Sequence, residues 1–328
     1  MKLKLRSKIA FTALAGGALA LSGCTTTTTE TTSESATDPL KVVAAFYPLQ
    51  FLADRVGEDQ VTVSSLTQGG GEAHDVELSA QQVVEIAEAD LVLYIKGFQP
   101  AVDAAVEQEA PDTSMNLAKG LETLTQEEHD HEDEEGDEHS DEGDHDHEGE
   151  EETGKSIPDP HVWLDPANMI TMAESLQTRM TELSPDAEQA FTTHTARISE
   201  HLTTLDEDWK EGTAKCESRE LVVSHEAFGY LGQAYDLTQV GIAGLEPESE
   251  PSPARIAEMA DLASSDEVTT IYYESSVEPE VAQTIADEAG VVTRVLDPLE
   301  NEPDAATGDY LSAMLRNLQS VQEGLRCS

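Results

Sequence analysis

Between Pro185 and Lys215 the large apolar residues Phe191, Ile198, Leu202, Leu205 and Trp209 succeed one another at intervals of 7, 4, 3 and 4 residues. At 3.6 residues per turn those intervals return to one stripe of a single helix, about 28 residues and about 42 Å long. That is more than twice the usual globular helix of about 11–12 residues, so the sequence on either side must be organised as separate bodies joined by a rigid connector.

Both flanks read as α/β. Short β-rich runs at Lys41–Phe46, Val61–Leu66, Asp90–Ile95, Glu220–Ser224, Thr269–Tyr273 and Val291–Leu296 alternate with amphipathic stretches such as Ser79–Ala89 and Pro279–Ala289. Ser79 and Gln82 have the spacing of a capping box. Strand and helix in alternation predict mainly parallel sheets. The expected layout is an N-terminal lobe over 39–184, the connecting helix over 185–212 and a C-terminal lobe over 213–328.

The first residues predict where the chain works. Lys2, Lys4, Arg6 and Lys8 precede an apolar run from Ile9 to Leu21. This is the layout of a secretory signal peptide, too short for a comfortable span of about 20 apolar residues. Leu21, Ser22, Gly23 and Cys24 resemble the bacterial lipobox, which predicts cleavage after residue 23, lipidation of Cys24 and an extracytoplasmic, membrane-anchored body. Residues 24–38 carry no large apolar side chain and read as a flexible tether. The remaining cysteines, Cys216 and Cys327, are an even pair in an oxidising compartment and are expected to form a disulfide.

Charge narrows the partners. With 67 acidic against 18 basic residues the formal net charge is −49, a field that repels phosphate backbones and anionic lipid heads and attracts cations. Nucleic-acid binding is thereby excluded as an expectation. Residues 127–152 hold 17 of the acids and five histidines, His129, His131, His139, His145 and His147, with no apolar residue and no base. Such a segment cannot build core and reads as a solvated insertion in the first lobe. Its interleaved imidazoles and carboxylates suit weak, exchangeable binding of Zn(II) or similar ions.

Five histidines remain. His194 and His201 lie seven residues apart on the connector beside its apolar stripe and read as structural. His74, His161 and His225 are placed differently. His74 follows the strand ending at Leu66 and the run Gly69–Gly71, His225 ends the strand LVVSH, and His161 sits in DPHVWLDP, where Asp165 and Pro166 suit a helix start. Loops beyond the carboxyl ends of strands line the binding crevice of α/β sheets. Asp297, after the strand VVTRVL, is the candidate carboxylate. Three imidazoles and one carboxylate make a four-coordinate Zn(II) shell with no open position for an activated water, so the metal is expected as cargo and the protein as a non-enzyme.

The segments GGGEAHDVELS, ADLVLYIKG, DPHVWLDP, LVVSHEAFGYLG, EPESEPSP, YYESSVEP and LDPLE occur in order along the chain. Over residues 40 to 328 it resembles the metal-specific substrate-binding lipoproteins of bacterial ABC transporters, the zinc and manganese uptake group. The resemblance implies two α/β lobes, a long backbone helix, and one metal in the cleft, held by His74, His161, His225 and Asp297. It further implies delivery to a membrane permease driven by a cytoplasmic ATPase, by a protein acting as a monomer. Three nitrogen ligands favour Zn(II) over Mn(II), and the acidic histidine loop accompanies the zinc branch. Several alternatives stay open at this point. Glu226, next to His225, could supply a carboxylate instead, and Glu72 and Glu77 are further oxygen donors. A manganese-binding member, a surface adhesin, or a metallohydrolase with Glu226 or Glu274 as base are the competing functions.

Overall fold

A computed structural model describes residues 38–67, 72–127, 156–245, 247, 251–264, 268–275 and 279–328. The leader with Cys24, nearly all of the tether, the run Gly69–Gly71 and the five histidines of the acidic stretch lie outside the described residues.

The first lobe is built on a four-stranded parallel sheet. Strand β1 (Leu40–Ala44), helix α1 (Tyr47–Gly57), β2 (Val61–Ser65), α2 (Ala80–Glu88), β3 (Leu91–Tyr94), α3 (Pro100–Glu109) and β4 (Ser114–Asn116) give the spatial order β2-β1-β3-β4, with Val42 opposite Val63 and Leu91. The central strands bury Val42, Val43, Ala44, Leu91, Val92 and Leu93, as a parallel sheet covered on both faces requires. The capping box is formed: Gln82 N–H donates to Ser79 Oγ at 3.3 Å and Ser79 N–H to Gln82 Oε1 at 2.9 Å.

A two-stranded antiparallel ribbon, β5 (Thr125–Glu127) and β6 (Ser156–Pro158), closes the chain on both sides of the acidic stretch. Helix α4 (Pro166–Leu183) follows, its first turn satisfied by Asp165, whose Oδ1 accepts from Ala167 N–H at 2.8 Å. One 3₁₀ turn at Pro185–Ala187 then leads into α5 (Glu188–Thr213), which buries Phe191, Ile198, Leu202, Leu205 and Trp209 on one stripe. His194 is structural: Nδ1 donates to Val56 O at 3.1 Å and Nε2 faces Glu58 at 3.2 Å, while Arg197 pairs with the same carboxylate. His201 is exposed.

The second lobe repeats the plan with β7 (Glu220–Val223), α6 (Gly229–Tyr235), β8 (Thr238–Gly241), α7 (Pro253–Ala263), β9 (Thr270–Tyr273), α8 (Glu280–Ala289) and β10 (Val292–Val295) in the parallel order β10-β9-β7-β8. Its far face has a core of its own, with Val222, Ile242, Met259, Ile271 and Ile285.

The last helix, α9 (Tyr310–Gly324), runs beside α5. Its N-cap Asp309 pairs with Arg55 of α1, and a Cβ added at Gly212 of α5 would come within 2.5 Å of its Gln322 Nε2. The lobes are joined by the one long helix that the sequence pattern predicts, and α9 packs along it. One apolar core runs from Val42 through Trp163 and Trp209 to Val321. Cys216 and Cys327 are disulfide-bonded, tying the start of the second lobe to the end of α9.

Candidate metal centre

In each sheet the chain reverses its winding beside the first strand, between β1 and β3 and between β7 and β9. Such switch points open a crevice at the carboxyl ends of the strands. In the first lobe the crevice is lined by aromatic rings. Phe46, just after β1, and Phe98, just after β3, lie 4.5 Å apart, and Trp163 closes on them at 4.7 and 5.1 Å. In the second lobe it is polar: His225 follows β7 and Glu274 follows β9.

His74, His161, His225 and Glu300 converge here, with one candidate ligand atom from each lying within 4.8 Å of the others. The imidazole centroids are 5.3, 5.4 and 5.9 Å apart. Glu300 Oε1 stands 3.2 Å from His74 Nε2, 3.5 Å from His161 Nε2 and 3.6 Å from His225 Nε2. His161 and His225 are fully buried, and the Nε2 of each has no hydrogen-bond partner. Buried polar atoms are almost always satisfied, so two such nitrogens aimed at one carboxylate mark a place for a cation.

Each imidazole is held from behind. His161 Nδ1 donates to Asp159 Oδ1 at 2.8 Å, and the same oxygen accepts the His161 backbone N–H at 2.9 Å. His225 Nδ1 donates to Glu274 Oε1 at 2.5 Å, and Ser224 Oγ donates to that oxygen at 2.6 Å. Asp159 and Glu274 are themselves 2% and 1% exposed. A carboxylate on Nδ1 fixes the tautomer and leaves the Nε2 lone pair for a metal. His74 has a looser mount: Gln99 Nε2 donates to Ala73 O at 2.7 Å, and the ring meets Phe98 edge-on at 4.5 Å.

The protonation balance follows from this geometry. Burial alone would lower the His225 pKa, but the hydrogen bond to Glu274 and the nearby Glu300 carboxylate outweigh it and push it up to about 10. Burial likewise opposes a charge on His161, yet Asp159 and Glu300 raise its pKa. Burial would raise Glu300, but contact with His161, His225 and His74 holds it well below the usual carboxylate range. His161 and His225 thus favour their protonated forms beside an ionised Glu300.

The structure brings the three predicted histidines together but not Asp297. Asp297 Oδ2 accepts from Ser275 Oγ at 2.6 Å and Oδ1 from Leu299 N–H at 2.8 Å. Its carboxylate holds a turn and lies outside the converging group, in which Glu300, three residues on, is the carboxylate. The other open alternatives also fall away from the group: Glu226 packs over Gly241, Glu72 accepts the His74 backbone N–H at 3.2 Å, and Glu77 is exposed. Glu300, Asp159 and Glu274 are the residues that sequence reasoning did not assign as ligand or support. The signal available for Glu300 was the D-P-x-E spacing, since an Asp after a strand commonly spends its oxygen on the backbone two residues on.

The chain as a whole is similar to known zinc-uptake proteins. A family model described as zinc-uptake complex component A, periplasmic (ZnuA), matches residues 42–324. The zinc-binding lipoprotein AdcA of Streptococcus pneumoniae R6 is 33% identical over 296 residues, which cover 87% of this chain and 55% of that one. The chain thus spans about half the length of that relative. The high-affinity zinc uptake system protein ZnuA of Bacillus subtilis 168 is 30% identical, with 94% of each chain covered. The crystal structure of the Zn(II)-bound ZnuA-like domain of the pneumococcal AdcA superposes with a TM-score of 0.70 at 29% identity, covering 88% of this chain and 99% of that domain.

Proposed function

The chain belongs to the zinc-uptake complex component A (ZnuA) family, and from that premise we propose that it captures extracytoplasmic Zn(II) and delivers it to an ABC-type permease with a cytoplasmic ATPase. The observation that carries the proposal is the pair of buried, unpartnered Nε2 atoms of His161 and His225 facing Glu300. With His74 they present three nitrogens and one carboxylate, a donor set that suits Zn(II) better than Mn(II). The metal is cargo: four protein ligands leave no position for an activated water, and the protein acts as a binding component without catalysis.

In this reading Asp159 and Glu274 turn the two buried rings so that Nε2 meets the ion, and His74, the least buried of the three, completes the shell. Zinc displaces imidazole protons on entry. Anchoring through a lipidated Cys24, action as a monomer, and weak auxiliary zinc binding by His129, His131, His139, His145 and His147 belong to the same proposal. Calorimetry on protein lacking residues 128–155 tests it: one tight zinc site is expected, lost in His161→Ala. Retention of full affinity in that variant would refute the assignment.

A further inference from the structure

The four residues from Asp297 to Glu300 are held by more bonds than so short a loop needs. Asn317 of α9, 3% exposed, takes both backbone groups of Asp297: its Oδ1 accepts the N–H at 3.0 Å and its Nδ2 donates to the carbonyl at 2.7 Å. The Asp297 carboxylate accepts from Ser275 and from Leu299 N–H. Pro298 O accepts the indole N–H of Trp163 at 2.7 Å. Trp163 lies two residues beyond His161, and its own carbonyl accepts from Tyr310 Oη at 2.6 Å.

Between these fixed points Leu299 is forced to φ +61°, with its side chain fully buried. A left-handed leucine is unfavourable and persists only where its surroundings over-determine it. The result of the constraint is that Glu300, directly after Leu299, aims Oε1 at all three imidazoles.

Resting on the reading of His74, His161, His225 and Glu300 as the zinc shell, we propose that Asp297, Asn317 and Trp163 are positioning residues, forming a mount that sets the distance and direction of Glu300 relative to His161. The Trp163–Pro298 bond is the element that joins the two ligands, because it links the backbone segment of one to the turn of the other. Asp297 serves the metal without touching it: its oxygens hold the bend, and they lie outside the group of converging ligand atoms.

The test compares Asp297→Asn, Asp297→Ala, Trp163→Phe and the direct control Glu300→Gln in the full chain, using Zn(II) competition, zinc dissociation rate, the visible spectrum of the Co(II)-substituted protein and the melting temperature of the metal-free form. Asparagine can still accept from Leu299 N–H and donate to Ser275 Oγ, so Asp297→Asn should bind zinc nearly as the parent does, with an unchanged Co(II) spectrum. Asp297→Ala and Trp163→Phe should lose about 10- to 100-fold in affinity, release zinc faster and shift the Co(II) bands. Trp163→Phe keeps the ring packing on Phe46 and Phe98, which guards against a simple failure to fold.

The proposal is overturned if Asp297→Asn loses as much as Glu300→Gln, which would make Asp297 a ligand. It is equally overturned if Asp297→Ala and Trp163→Phe only lower the metal-free melting temperature while affinity and spectrum stay unchanged. Full zinc affinity in both Glu300→Gln and His161→Ala is a separate outcome that refutes the site itself.

Discussion

Replacing Glu274 by Gln tests how the buried carboxylates tune zinc capture. The substitution keeps the volume and leaves an oxygen for the Ser224 hydroxyl and the His225 Nδ1–H, but removes the charge that stands 2.5 Å from His225. Two effects then oppose each other. Loss of an anionic partner weakens the imidazole as a ligand, typically by 10- to 100-fold, or about 1–3 kcal/mol. Against that, zinc must expel the proton from His225, whose pKa stands at about 10 in the metal-free site. At pH 7.5 that expulsion costs about 3 kcal/mol at 1.36 kcal/mol per unit. Without Glu274 only Glu300 still opposes burial, so the His225 pKa falls and much of that cost disappears. The net change at pH 7.5 is therefore small, and the informative quantity is the slope. In the parent protein, log affinity should climb with pH through the whole range 6.5–9, because the His225 proton still competes. In Glu274→Gln the His225 share of that slope should be gone. The two curves should cross near pH 8–9, where the proton cost falls to the 10- to 100-fold loss of ligand strength, with the parent tighter above that range. Competition titration against a zinc indicator at half-unit intervals measures both curves. Parallel profiles for the two proteins would sink the reasoning.

Other predictions follow from the same geometry. Zinc binding at pH 8 should release at least one proton, seen as buffer-dependent calorimetric enthalpy, whereas free imidazoles of pKa about 6.5 would release almost none; a buffer-independent enthalpy would contradict the paired-imidazole site. For the metal-free protein the raised pKa values of His161 and His225 contribute stability that is complete below about pH 6.5 and lost as pH rises through their folded values. Glu300, lowered, contributes above about pH 4.5 and loses that contribution as pH falls. The metal-free melting temperature should accordingly peak between about pH 4.5 and 6.5 and decline towards pH 9, while the zinc-bound protein declines towards acid. Breaking the disulfide in Cys216→Ser/Cys327→Ser should cost about 4–5 kcal/mol by loop-closure entropy for a separation of 111 residues, read by urea unfolding, with zinc stoichiometry unchanged.

How much of this was legible in the sequence depends on the range of the forces involved. The stripe Phe191–Trp209 and the central strands Val42–Ala44, Leu91–Leu93 and Leu221–Val223 announce themselves because burial on one or both faces writes a local apolar pattern. Two of the edge strands do not: β4 reads Ser-Met-Asn and β8 Thr-Gln-Val-Gly, and neither carries a run of large apolar residues, whereas the other two edges, β2 and β10, keep their valines and read as strands. The three histidines were legible because each ends or follows a strand or precedes a cap, positions set by local chain direction. Glu300 was not, and the reason is specific. Asp297 and Glu300 are both carboxylates near a strand end, and the choice between them is made by Asn317, twenty residues away, and by Trp163, 135 residues away, through hydrogen bonds that leave no local periodicity. A glycine at 299 would have signalled the left-handed turn; a leucine conceals it, since its buried side chain is kept for packing while the backbone takes the strain. Where two candidate ligands lie within one turn of each other, sequence therefore locates the segment, and only the tertiary bonds to its backbone decide which side chain joins the converging group.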